Sequence, residues 1–457
     1  MFRPQLQTLE VVRPATLVAG ELRVPGDKSI AHRGLILGAL ADGDSMIAGL
    51  PEGEDVRATV ACLRSLGVKI SPFESPEGSR VGQGRGFRIS PASGSGWGFA
   101  TPHGSLDCAN SGTTMRLLIG LLAGSRISAR LDGDDSLRRR PMARVIEPLR
   151  RMGARIESQD GRAPLTVIGS SLQGRQHQLP VASAQIKSAI LLAGLAARGP
   201  TTIVEPFTTR DHTERLLAAM GADLRIQFPP PTGEAEARGS SIDLRPSHRP
   251  LQPIELMIPG DFSSAAFWLA AAALRPDWSI TIRDVGLNPT RTSFLRILEQ
   301  MGAEVQVDVT SSGIEPAGSV RVVGRPLEAI ALGPGDVAAL IDEIPALLAL
   351  ATQAHGVTTI RGAAELRVKE SDRIAGMAEG LRRLGATVEE RPDGISIHGP
   401  AFLHGATVDA NGDHRIAMAL AIAALVASDP TRINDADSVA VSYPEFFAHM
   451  HEVTDVA

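Results

Sequence analysis

The stretch ELRVKESDRIAGMAEGLRRLGA, residues 365–386, combines the two features that recur along this sequence. Its second half carries apolar residues at helical spacing and ends in Leu-x-x-Leu-Gly-Ala, where the glycine follows the last apolar residue as a helix-ending glycine does. Its first half places Lys369 and Arg373 four residues apart, a spacing at which like charges on a helix repel by roughly 0.2–0.5 kcal/mol. We interpret the pair as cations that hold a bound anion between them.

The helix-ending signature is repeated along the chain. A short β-type stretch follows each copy, so the local order is helix, stop and strand. The five copies are CLRSLGVKI (62–70), PLRRMGARI (148–156), LLAAMGADL (216–224), ILEQMGAEV (297–305) and GLRRLGATV (380–388).

A second set of six helices, rich in Ala and Leu, lies between these copies. Each follows a polar loop of Gly, Ser, Asn or Asp, and apolar residues on all sides predict that the helices are buried. They are GDKSIAHRGLILGALA (26–41), NSGTTMRLLIGLLAG (110–124), ASAQIKSAILLAGLAARG (182–199), GDFSSAAFWLAAAAL (260–274), ALIDEIPALLALATQ (339–353) and GDHRIAMALAIAALVA (412–427).

These repeats predict an α/β (α+β) fold in two domains. The chain of 457 residues is too long for a single core, and the β-α-β-α-β order places helices on sheets. VPGDKS at 24–29 matches IPGDFS at 258–263, which indicates two halves of three repeats and crossovers near 24–28 and 257–262. We therefore expect one domain at 26–259 and a second made of 1–25 plus 260–457, in which the N-terminal strand joins the C-terminal half.

Composition excludes several classes of function. A net charge of −5 argues against a general nucleic-acid or membrane-surface binder. The longest apolar run, 416–427, is shorter than the roughly 20 residues of a membrane span. Only Cys62 and Cys108 are present, and no export or organelle signal is apparent, so we expect a cytoplasmic protein.

Two stretches read as loops. Residues 72–105, rich in Gly, Ser and Pro, are expected to form hairpins or a mobile surface loop, and the region from the PPP at 229–231 to Pro253 is also loop-like. GQGRG within the first stretch is not followed by a helix pattern, so it is not a dinucleotide-binding motif.

Cations collect near the starts of the predicted helices. A helix N-terminus is already positive, so Lys and Arg there are unfavourable unless an anion or a carboxylate compensates them. A surface ion pair explains any single cluster, but recurrence in six repeats favours anions bound between the domains. Asp342, Glu343 and Glu370 are carboxylates that could transfer protons in such a site, although Asp342 could equally cap a helix. The clusters include Lys28, Arg33, Arg116, Arg138, Arg139, Arg140, Lys187, Arg210, Lys369, Arg373, His414 and Arg415.

Eight motifs resemble those of the enolpyruvyl transferase family, and within it the bacterial class II type that acts on shikimate 3-phosphate. The resemblance implies two domains of three βαβαββ units each, around a cleft that closes on substrate. It implies transfer of the enolpyruvyl group of phosphoenolpyruvate to the 5-hydroxyl of shikimate 3-phosphate in chorismate biosynthesis, without metal or organic cofactor, by a monomer. The motifs are PGDKSIAHR, NSGTTMR, RRRPM, SAQIKSA, TRDHTE, LIDEIP, LRVKESDR and GDHRIAMA.

The resemblance also implies roles for individual residues. Asp342 would take the proton from the 5-hydroxyl, Glu370 would protonate the methylene carbon, and Lys28 would contact both substrates. The ligands of shikimate 3-phosphate would be Lys28, Ser29, Arg33, Ser183, the Ala184 backbone, Gln185, Arg210, Asp342 and Lys369. Those of phosphoenolpyruvate would be Lys28, Gly112, Arg140, Gln185, Arg373 and Arg415.

The sequence departs from the family pattern in places. Val441 stands where some members have Lys, and Ala184 where they have a second Ser. A glyphosate-tolerant member of the class II group has Ala at the position of Gly112, so we expect Gly112 to leave room for glyphosate to compete with phosphoenolpyruvate.

Three alternatives remain open on the sequence. One is the related enzyme that acts on UDP-N-acetylglucosamine and commonly uses a loop Cys as acid, but Cys108 lies too early for that role. Another is an RNA 3′-phosphate cyclase, which needs a nucleotide site and an active-site His. The third is an anion-binding scaffold without catalysis.

Overall fold

The computed structural model describes residues 9–75, 84–92, 97–228, 239–246 and 249–456. The chain divides into two compact units. The first unit contains Gly26–Pro259 together with Gly313–Glu315, and the second contains the N-terminal segment up to Pro25, Gly260–Ser312 and the chain from Pro316 onwards. We call the first the inner unit and the second the outer unit, because the main segment of the first lies between two segments of the second along the sequence.

The helices of the described residues number fourteen, and two 3-10 turns, Ala364–Val368 and Ala436–Val441, accompany them. In chain order the helices are α1 (Lys28–Gly38), α2 (Glu54–Ser65), α3 (Gly112–Ala123), α4 (Asp135–Arg139), α5 (Ala143–Arg151), α6 (Ala184–Gly194), α7 (His212–Ala219), α8 (Phe262–Ala273), α9 (Ser293–Met301), α10 (Pro334–Leu340), α11 (Ile344–Ala351), α12 (Arg373–Arg383), α13 (His414–Ala424) and α14 (Phe446–Val453).

The strands of the described residues form six sheets. In chain order the strands are β1 (Leu9–Val12), β2 (Ala15–Arg23), β3 (Ser45–Ala48), β4 (Lys69–Ser75), β5 (Gly84–Ser90), β6 (Leu106–Asp107), β7 (Ser128–Asp132), β8 (Arg155–Gln159), β9 (Arg162–Ile168), β10 (Gln176–Gln178), β11 (Thr201–Glu205), β12 (Asp223–Gln227), β13 (Ser240–Arg245), β14 (Glu255–Met257), β15 (Ser279–Gly286), β16 (Glu304–Ser311), β17 (Ala317–Val323), β18 (Ala331–Leu332), β19 (Gly356–Arg361), β20 (Thr387–Arg391), β21 (Gly394–Gly399), β22 (Thr407–Asp409), β23 (Thr431–Asn434) and β24 (Thr454–Val456).

The inner unit repeats one sheet three times. Each sheet begins with a parallel pair and adds an antiparallel hairpin, in the orders β14-β3-β5-β4, β6-β7-β9-β8 and β10-β11-β13-β12. In the second and third sheets a buried helix, α3 or α6, joins the parallel pair. The chain then reaches the hairpin through α4 and α5 in the second sheet and through α7 in the third. The first sheet takes its first strand, β14, from the far end of the unit. These sheets confirm the predicted α/β architecture.

The outer unit has the same sheet order in two of its three sheets. These are β16-β17-β15-β2-β24 and β18-β19-β21-β20, and the third sheet has the three strands β1-β23-β22. The N-terminal strand β2 belongs to the outer unit, where it pairs in parallel with β15. The sixth repeat differs from the others, because within the described residues the chain after β23 forms a 3-10 turn and α14 instead of a hairpin.

The five predicted helix-ending glycines are confirmed. Each lies one or two residues beyond a helix and has a positive φ, a region that costs an L-residue roughly 1–2 kcal/mol and that glycine enters freely. A strand follows each glycine within three residues. The glycines and their φ angles are Gly67 (88°), Gly153 (102°), Gly221 (84°), Gly302 (107°) and Gly385 (98°).

The six Ala/Leu-rich segments form the buried helices α1, α3, α6, α8, α11 and α13, as predicted. Every residue of α8, α11 and α13 is buried. Small side chains let these helices pack closely, and a Cβ on Gly120 of α3 would lie 2.3 Å from the carbonyl oxygen of Ala189 in α6. Each unit therefore has its own apolar core, and polar groups can approach these helices mainly at their ends.

The loop predictions are only partly tested. The expected hairpin in residues 72–105 is confirmed by the antiparallel pair β4 and β5. Its tip at 76–83, the segment 93–96 and the stretch 229–238 with its three prolines lie outside the described residues. Among the helices of the described ranges, none is long and apolar enough to cross a bilayer.

A glycine with positive φ in open surroundings allows a direct test of this fold. We expect Gly221→Ala to lower the free energy of unfolding by about 1 kcal/mol, because its Cβ would meet only Gln252 at 3.9 Å and strain would come from the backbone alone. Urea unfolding followed by circular dichroism measures the change. Gly104→Ala is the control, since a Cβ there meets nothing within 4 Å. Equal stability of the two variants would contradict the assignment of Gly221 as a helix-ending residue.

Candidate active site

The first turn of α1 carries the first predicted cation of the inner unit. Asp27 caps the helix, and its Oδ1 accepts hydrogen bonds from the backbone N–H groups of Ser29 at 2.7 Å and Ile30 at 3.0 Å. Lys28 Nζ lies 3.1 Å from Asp55 Oδ2, with 18% of the lysine side chain exposed. The carboxylate of Asp55 in α2 therefore fixes the direction of Lys28 while leaving part of the ammonium group accessible.

Arg33 joins three helices. Its Nε donates to Thr213 Oγ1 in α7 at 2.8 Å, its Nη2 to Ser188 Oγ in α6 at 3.0 Å, and its Nη1 to the carbonyl oxygen of Ser29 at 2.9 Å. Burial lowers the pKa of Arg33 to about 10, so the side chain still carries its charge at neutral pH. Arg33 therefore holds the charged end of α1 against α6 and α7.

The first turn of α6 contains three predicted ligands in sequence. Ser183 is the N-cap, and its Oγ accepts from the N–H of Ile186 at 3.4 Å; Ala184 is the first helical residue. Gln185 bridges to α3, because its Oε1 accepts from Arg116 Nη1 at 2.7 Å and its Nε2 donates to Thr113 Oγ1 at 2.8 Å. The starts of α3 and α6 thus lie side by side.

The first turn of α3 leaves little space around Gly112. Ser111 caps this helix, and Gly112 is its first residue. A Cβ on Gly112 would lie 2.7 Å from Arg116 Nη1 and 3.2 Å from Arg140 Nη1. Arg140 is buried and its Nη2 donates to Asn110 Oδ1. The three residues Gly112, Arg116 and Arg140 therefore converge at the N-terminus of one helix.

Two of the predicted inner-unit cations, Lys187 and Arg138, pair with carboxylates of the protein, contrary to the prediction that they bind an anion. Lys187 is 1% exposed, and its Nζ lies 2.7 Å from Glu214 Oε1 and 3.1 Å from Glu205 Oε1. Burial would lower the pKa of Lys187, but the two glutamates outweigh burial and raise it. Arg138 is exposed and binds Asp132 through two hydrogen bonds of 2.9 Å. Lys187 and Arg138 are thus satisfied by carboxylates of the protein.

The remaining inner-unit ligand, Arg210, is half-buried and lies two residues before α7. The residue before it, Thr209, is fixed by Glu205, whose Oε1 accepts from its N–H at 3.0 Å and whose Oε2 accepts from its hydroxyl at 2.7 Å. The buried Lys187 donates to the carbonyl oxygen of Thr209 at 3.3 Å. The ion cluster of Lys187 therefore supports the segment that carries Arg210.

In the outer unit, Arg373 is enclosed by carboxylates. Its Nε lies 2.9 Å from Asp413 Oδ2, its Nη2 lies 2.6 Å from Glu370 Oε2, and its Nη1 lies 3.5 Å from Asp342 Oδ1. Its side chain is 1% exposed. Burial alone would lower the pKa of Arg373, but Asp413, Glu370 and Asp342 together raise it above its usual value.

The interpretation of Lys369 and Arg373 as stacked helical cations is wrong. The helix α12 begins only at Arg373, with Asp372 as its N-cap, and Lys369 ends the 3-10 turn Ala364–Val368. Helical i, i+4 repulsion therefore does not apply to this pair. Glu370, between them in sequence, already supplies a negative charge to Arg373. Carboxylates of the protein therefore already balance the charge of Arg373, and an anion bound by Lys369 and Arg373 stays a prediction.

Asp342 lies between two arginines of the outer unit. Its Oδ1 is 3.5 Å from Arg373 Nη1 and its Oδ2 is 3.7 Å from Arg415 Nη2, while Arg415 Nη1 donates to its backbone carbonyl at 2.7 Å. The side chains of Asp342 and Glu370 are 15% and 25% exposed, so both carboxylates can reach a ligand. Glu343, the neighbouring candidate, is fully buried and accepts hydrogen bonds from Ser263 and Arg291, so it has a structural role.

The arrangement can bind anions and transfer protons. In the inner unit, backbone N–H groups at the starts of α1, α3 and α6 lie beside Lys28, Arg33 and Arg140, which is the pattern of a phosphate or carboxylate site. In the outer unit, Arg373 and Arg415 hold two accessible carboxylates in fixed positions. Within the outer unit these contacts place Asp342, Arg373 and Arg415 next to one another.

Two anchoring residues, Asp55 and Asp413, are not among the site residues predicted from the sequence. Asp55, the partner of Lys28, lies in an acidic stretch that has no distinctive pattern. Asp413 lies in the GDHR motif, where only His414 and Arg415 were selected, yet it caps α13 and also binds Arg373. The match between Asp413 in GDHR and Asp27 in PGDKS could have indicated a capping acid at this position.

The sequence matches known proteins over nearly its whole length. Residues 12–450 match the family model described as EPSP synthase (3-phosphoshikimate 1-carboxyvinyltransferase). A 3-phosphoshikimate 1-carboxyvinyltransferase of Gloeobacter violaceus is 48% identical over 446 residues, covering 97% of this chain and 98% of that protein. One of Acidithiobacillus ferrooxidans is 50% identical over 441 residues, covering 96% of each.

Solved structures are similar as well. The EPSP synthase of Acinetobacter baumannii superposes with a TM-score of 0.80 at 38% identity and covers 98% of both chains. The enolpyruvyl transferase NikO of Streptomyces tendae, at 19% identity and a TM-score of 0.74, covers 99% of this chain and 98% of its own and shares the fold. By sequence and by structure, the chain belongs to the EPSP synthase (3-phosphoshikimate 1-carboxyvinyltransferase) family.

Proposed function

We propose that this protein transfers the enolpyruvyl group of phosphoenolpyruvate to the 5-hydroxyl of shikimate 3-phosphate and releases phosphate, as a step of chorismate biosynthesis. Family membership over residues 12–450 supports this reaction. Two observations, each made within one unit, carry the proposal. Cations lie at the helix starts of the inner unit. In the outer unit, arginines hold two accessible carboxylates. Both substrates carry a phosphate and a carboxylate, so both need such cations.

Shikimate 3-phosphate is assigned to the starts of α1 and α6. Lys28, Ser29 and Arg33 belong to α1, and the hydrogen bond from Arg33 to Ser188 holds α1 beside α6. Together with Ser183, the N–H of Ala184, Gln185 and Arg210, they offer both charge and backbone donors to a phosphate. Asp342 and Lys369 of the outer unit are assigned to the hydroxyl end of the same substrate.

Phosphoenolpyruvate is assigned to the start of α3 and to the arginines of the outer unit. Gly112 has no side chain, so a phosphate oxygen can approach the N–H groups of the first turn, and Arg140 lies beside them. Lys28 and Gln185 complete this set in the inner unit, and Arg373 and Arg415 in the outer unit. The arginines are held by carboxylates before the substrate arrives, so little reorganisation is needed when charge develops.

The two carboxylates are assigned to proton transfer. Asp342 accepts the proton of the 5-hydroxyl while the oxygen of that hydroxyl bonds to C2 of phosphoenolpyruvate, and Glu370 donates a proton to the methylene carbon. The product of this addition is a tetrahedral intermediate. The C2–O bond to phosphate then breaks, and the leaving phosphate takes the proton held by Asp342. Glu370 takes a proton back from the methyl carbon, which restores the double bond and both carboxyl groups to their starting states.

Phosphate release measures the proposed reaction directly. Purified protein is mixed with phosphoenolpyruvate and shikimate 3-phosphate, and we expect phosphate only when both are present. Phosphate release with UDP-N-acetylglucosamine in place of shikimate 3-phosphate would contradict the proposed acceptor. Binding of both substrates without any release would instead indicate an anion-binding scaffold. The monomeric state and the cytoplasmic location stay predictions of the sequence.

The role of Glu370 can be separated from substrate binding. We expect Glu370→Gln to lower kcat by about 100-fold or more, because general acid catalysis contributes roughly that factor. Calorimetric affinity for shikimate 3-phosphate should change by less than about threefold, since the amide keeps the size of the carboxylate. Glu379→Gln, in the helix α12 that follows Glu370, is the control, because Glu379 is exposed and pairs with Arg383 on the surface. Loss of binding in Glu370→Gln would overturn the assigned role.

Glyphosate is proposed to compete with phosphoenolpyruvate beside Gly112. We expect Gly112→Ala to raise the inhibition constant of glyphosate by about tenfold or more, because the methyl group would crowd Arg116 and Arg140 and the first turn of α3. Steady-state inhibition at several concentrations of phosphoenolpyruvate measures this change. Gly104→Ala provides a matched control in the same unit. Absence of competition in the unaltered protein would refute the proposal.

A further inference from the structure

A continuous chain of buried polar side chains links α1, α2 and α3 of the inner unit. His32 Nδ1 lies 2.7 Å from Thr59 Oγ1, and Thr59 Oγ1 lies 2.7 Å from Thr114 Oγ1. Thr114 Oγ1 then donates to Ser111 Oγ at 2.8 Å. Each of these four side chains belongs to a residue that is at most 1% exposed, and none of them is among the proposed substrate ligands.

The hydrogen bonds that link these four side chains run in one direction, from His32 to Ser111. Burial lowers the pKa of His32 to about 3, so the ring is neutral at neutral pH and carries a single proton. Its Nε2 has no hydrogen-bond partner in the described part of the chain, so a proton there would be buried without an acceptor. The proton therefore belongs on Nδ1, which donates to Thr59. Thr59 can then donate to Thr114, and Thr114 to Ser111.

Thr114 connects this chain to two proposed ligands of phosphoenolpyruvate. Ser111, which accepts from the Thr114 hydroxyl, is the N-cap directly before Gly112. The Thr114 hydroxyl also lies 3.3 Å from the backbone carbonyl oxygen of Asp55, whose carboxylate holds Lys28. One buried hydroxyl therefore contacts both the start of α3 and the backbone of the residue that directs Lys28.

We propose that the hydroxyl pair of Thr59 and Thr114 positions the phosphoenolpyruvate-binding groups, the first turn of α3 and Lys28, relative to each other. Neither threonine touches the substrate in this proposal. Supporting groups of this kind matter because displacements of less than 1 Å weaken charge-assisted contacts. The inference rests on the proposed assignment of Gly112 and Lys28 to phosphoenolpyruvate.

Thr59→Val tests this role, because valine has the shape of threonine and lacks its hydroxyl. We expect the KM for phosphoenolpyruvate to rise about tenfold while kcat stays within about twofold. The KM for shikimate 3-phosphate should rise less, by no more than about threefold, because this substrate shares Lys28 but not the first turn of α3. Thr59→Ser should restore the KM, since it returns the hydroxyl. Thr201→Val is the matched control, because Thr201 is a buried threonine of the same unit whose hydroxyl has no hydrogen-bond partner in the described chain.

The outcomes separate this inference from the proposed function. An unchanged KM for phosphoenolpyruvate in Thr59→Val would overturn the positioning role, as would equal changes for both substrates, which indicate a general structural effect. If Thr59→Val does not yield folded protein, Thr114→Ala and Thr114→Ser are measured in the same way, and serine must again restore the KM lost with alanine. Absence of phosphate release by the unaltered protein would instead refute the proposed function.

A parallel measurement on Gly112→Ala tests the assignment on which the inference depends. We expect this variant to raise the KM for phosphoenolpyruvate, because its methyl group occupies the approach to the first turn of α3. If Gly112→Ala raises this KM and Thr59→Val does not, only the positioning role falls. If neither variant changes it, the assignment of phosphoenolpyruvate to the start of α3 falls as well.

Discussion

The unpaired N–H groups at the starts of the buried helices are the constraint on which the rest of this structure depends. A helix that is apolar along its whole length leaves its first-turn N–H groups without intrahelical partners, and these groups need polar neighbours. The protein meets this need with capping side chains such as Asp27, Ser111, Ser183, Asp261 and Asp413. The remaining N–H groups of these turns, with the cations nearby, can bind anions. The unpaired N–H groups of the buried helices therefore account both for the capping of the core helices and for the position of the proposed site.

Charge balance inside the protein keeps these cations in fixed positions. Arg373, Lys28 and Lys187 each have carboxylate partners, although only Lys28 keeps a clearly accessible side chain among the three. Pairing buried charges adds little stability in itself, because desolvation offsets most of the attraction. The benefit lies in orientation, because Asp413 and Glu370 hold the guanidinium of Arg373 in one fixed position.

Features that depend on a residue and its immediate neighbours could be predicted from the sequence, whereas features that depend on contacts with distant segments could not. Glycine after the last apolar residue predicted all five helix ends, because backbone conformation at that position depends on the residue itself. The pairing of Lys369 with Arg373 was misjudged, because the start of α12 depends on the cap formed by Asp372 and on contacts to other segments. Likewise, no local pattern distinguished Glu343, which is buried against Arg291, from Asp342, which stays accessible.

The sequence by itself determined the repeats, the identity of the buried helices and the residue types at their starts, because periodicity, glycine placement and capping are local properties of the chain. Only the tertiary structure decided which cations are satisfied by the protein and which remain accessible. Lys187 and Lys28 look alike in sequence, yet two glutamates distant along the chain enclose the first, and one aspartate orients the second. Such differences arise from contacts between segments far apart in sequence, which no local pattern records.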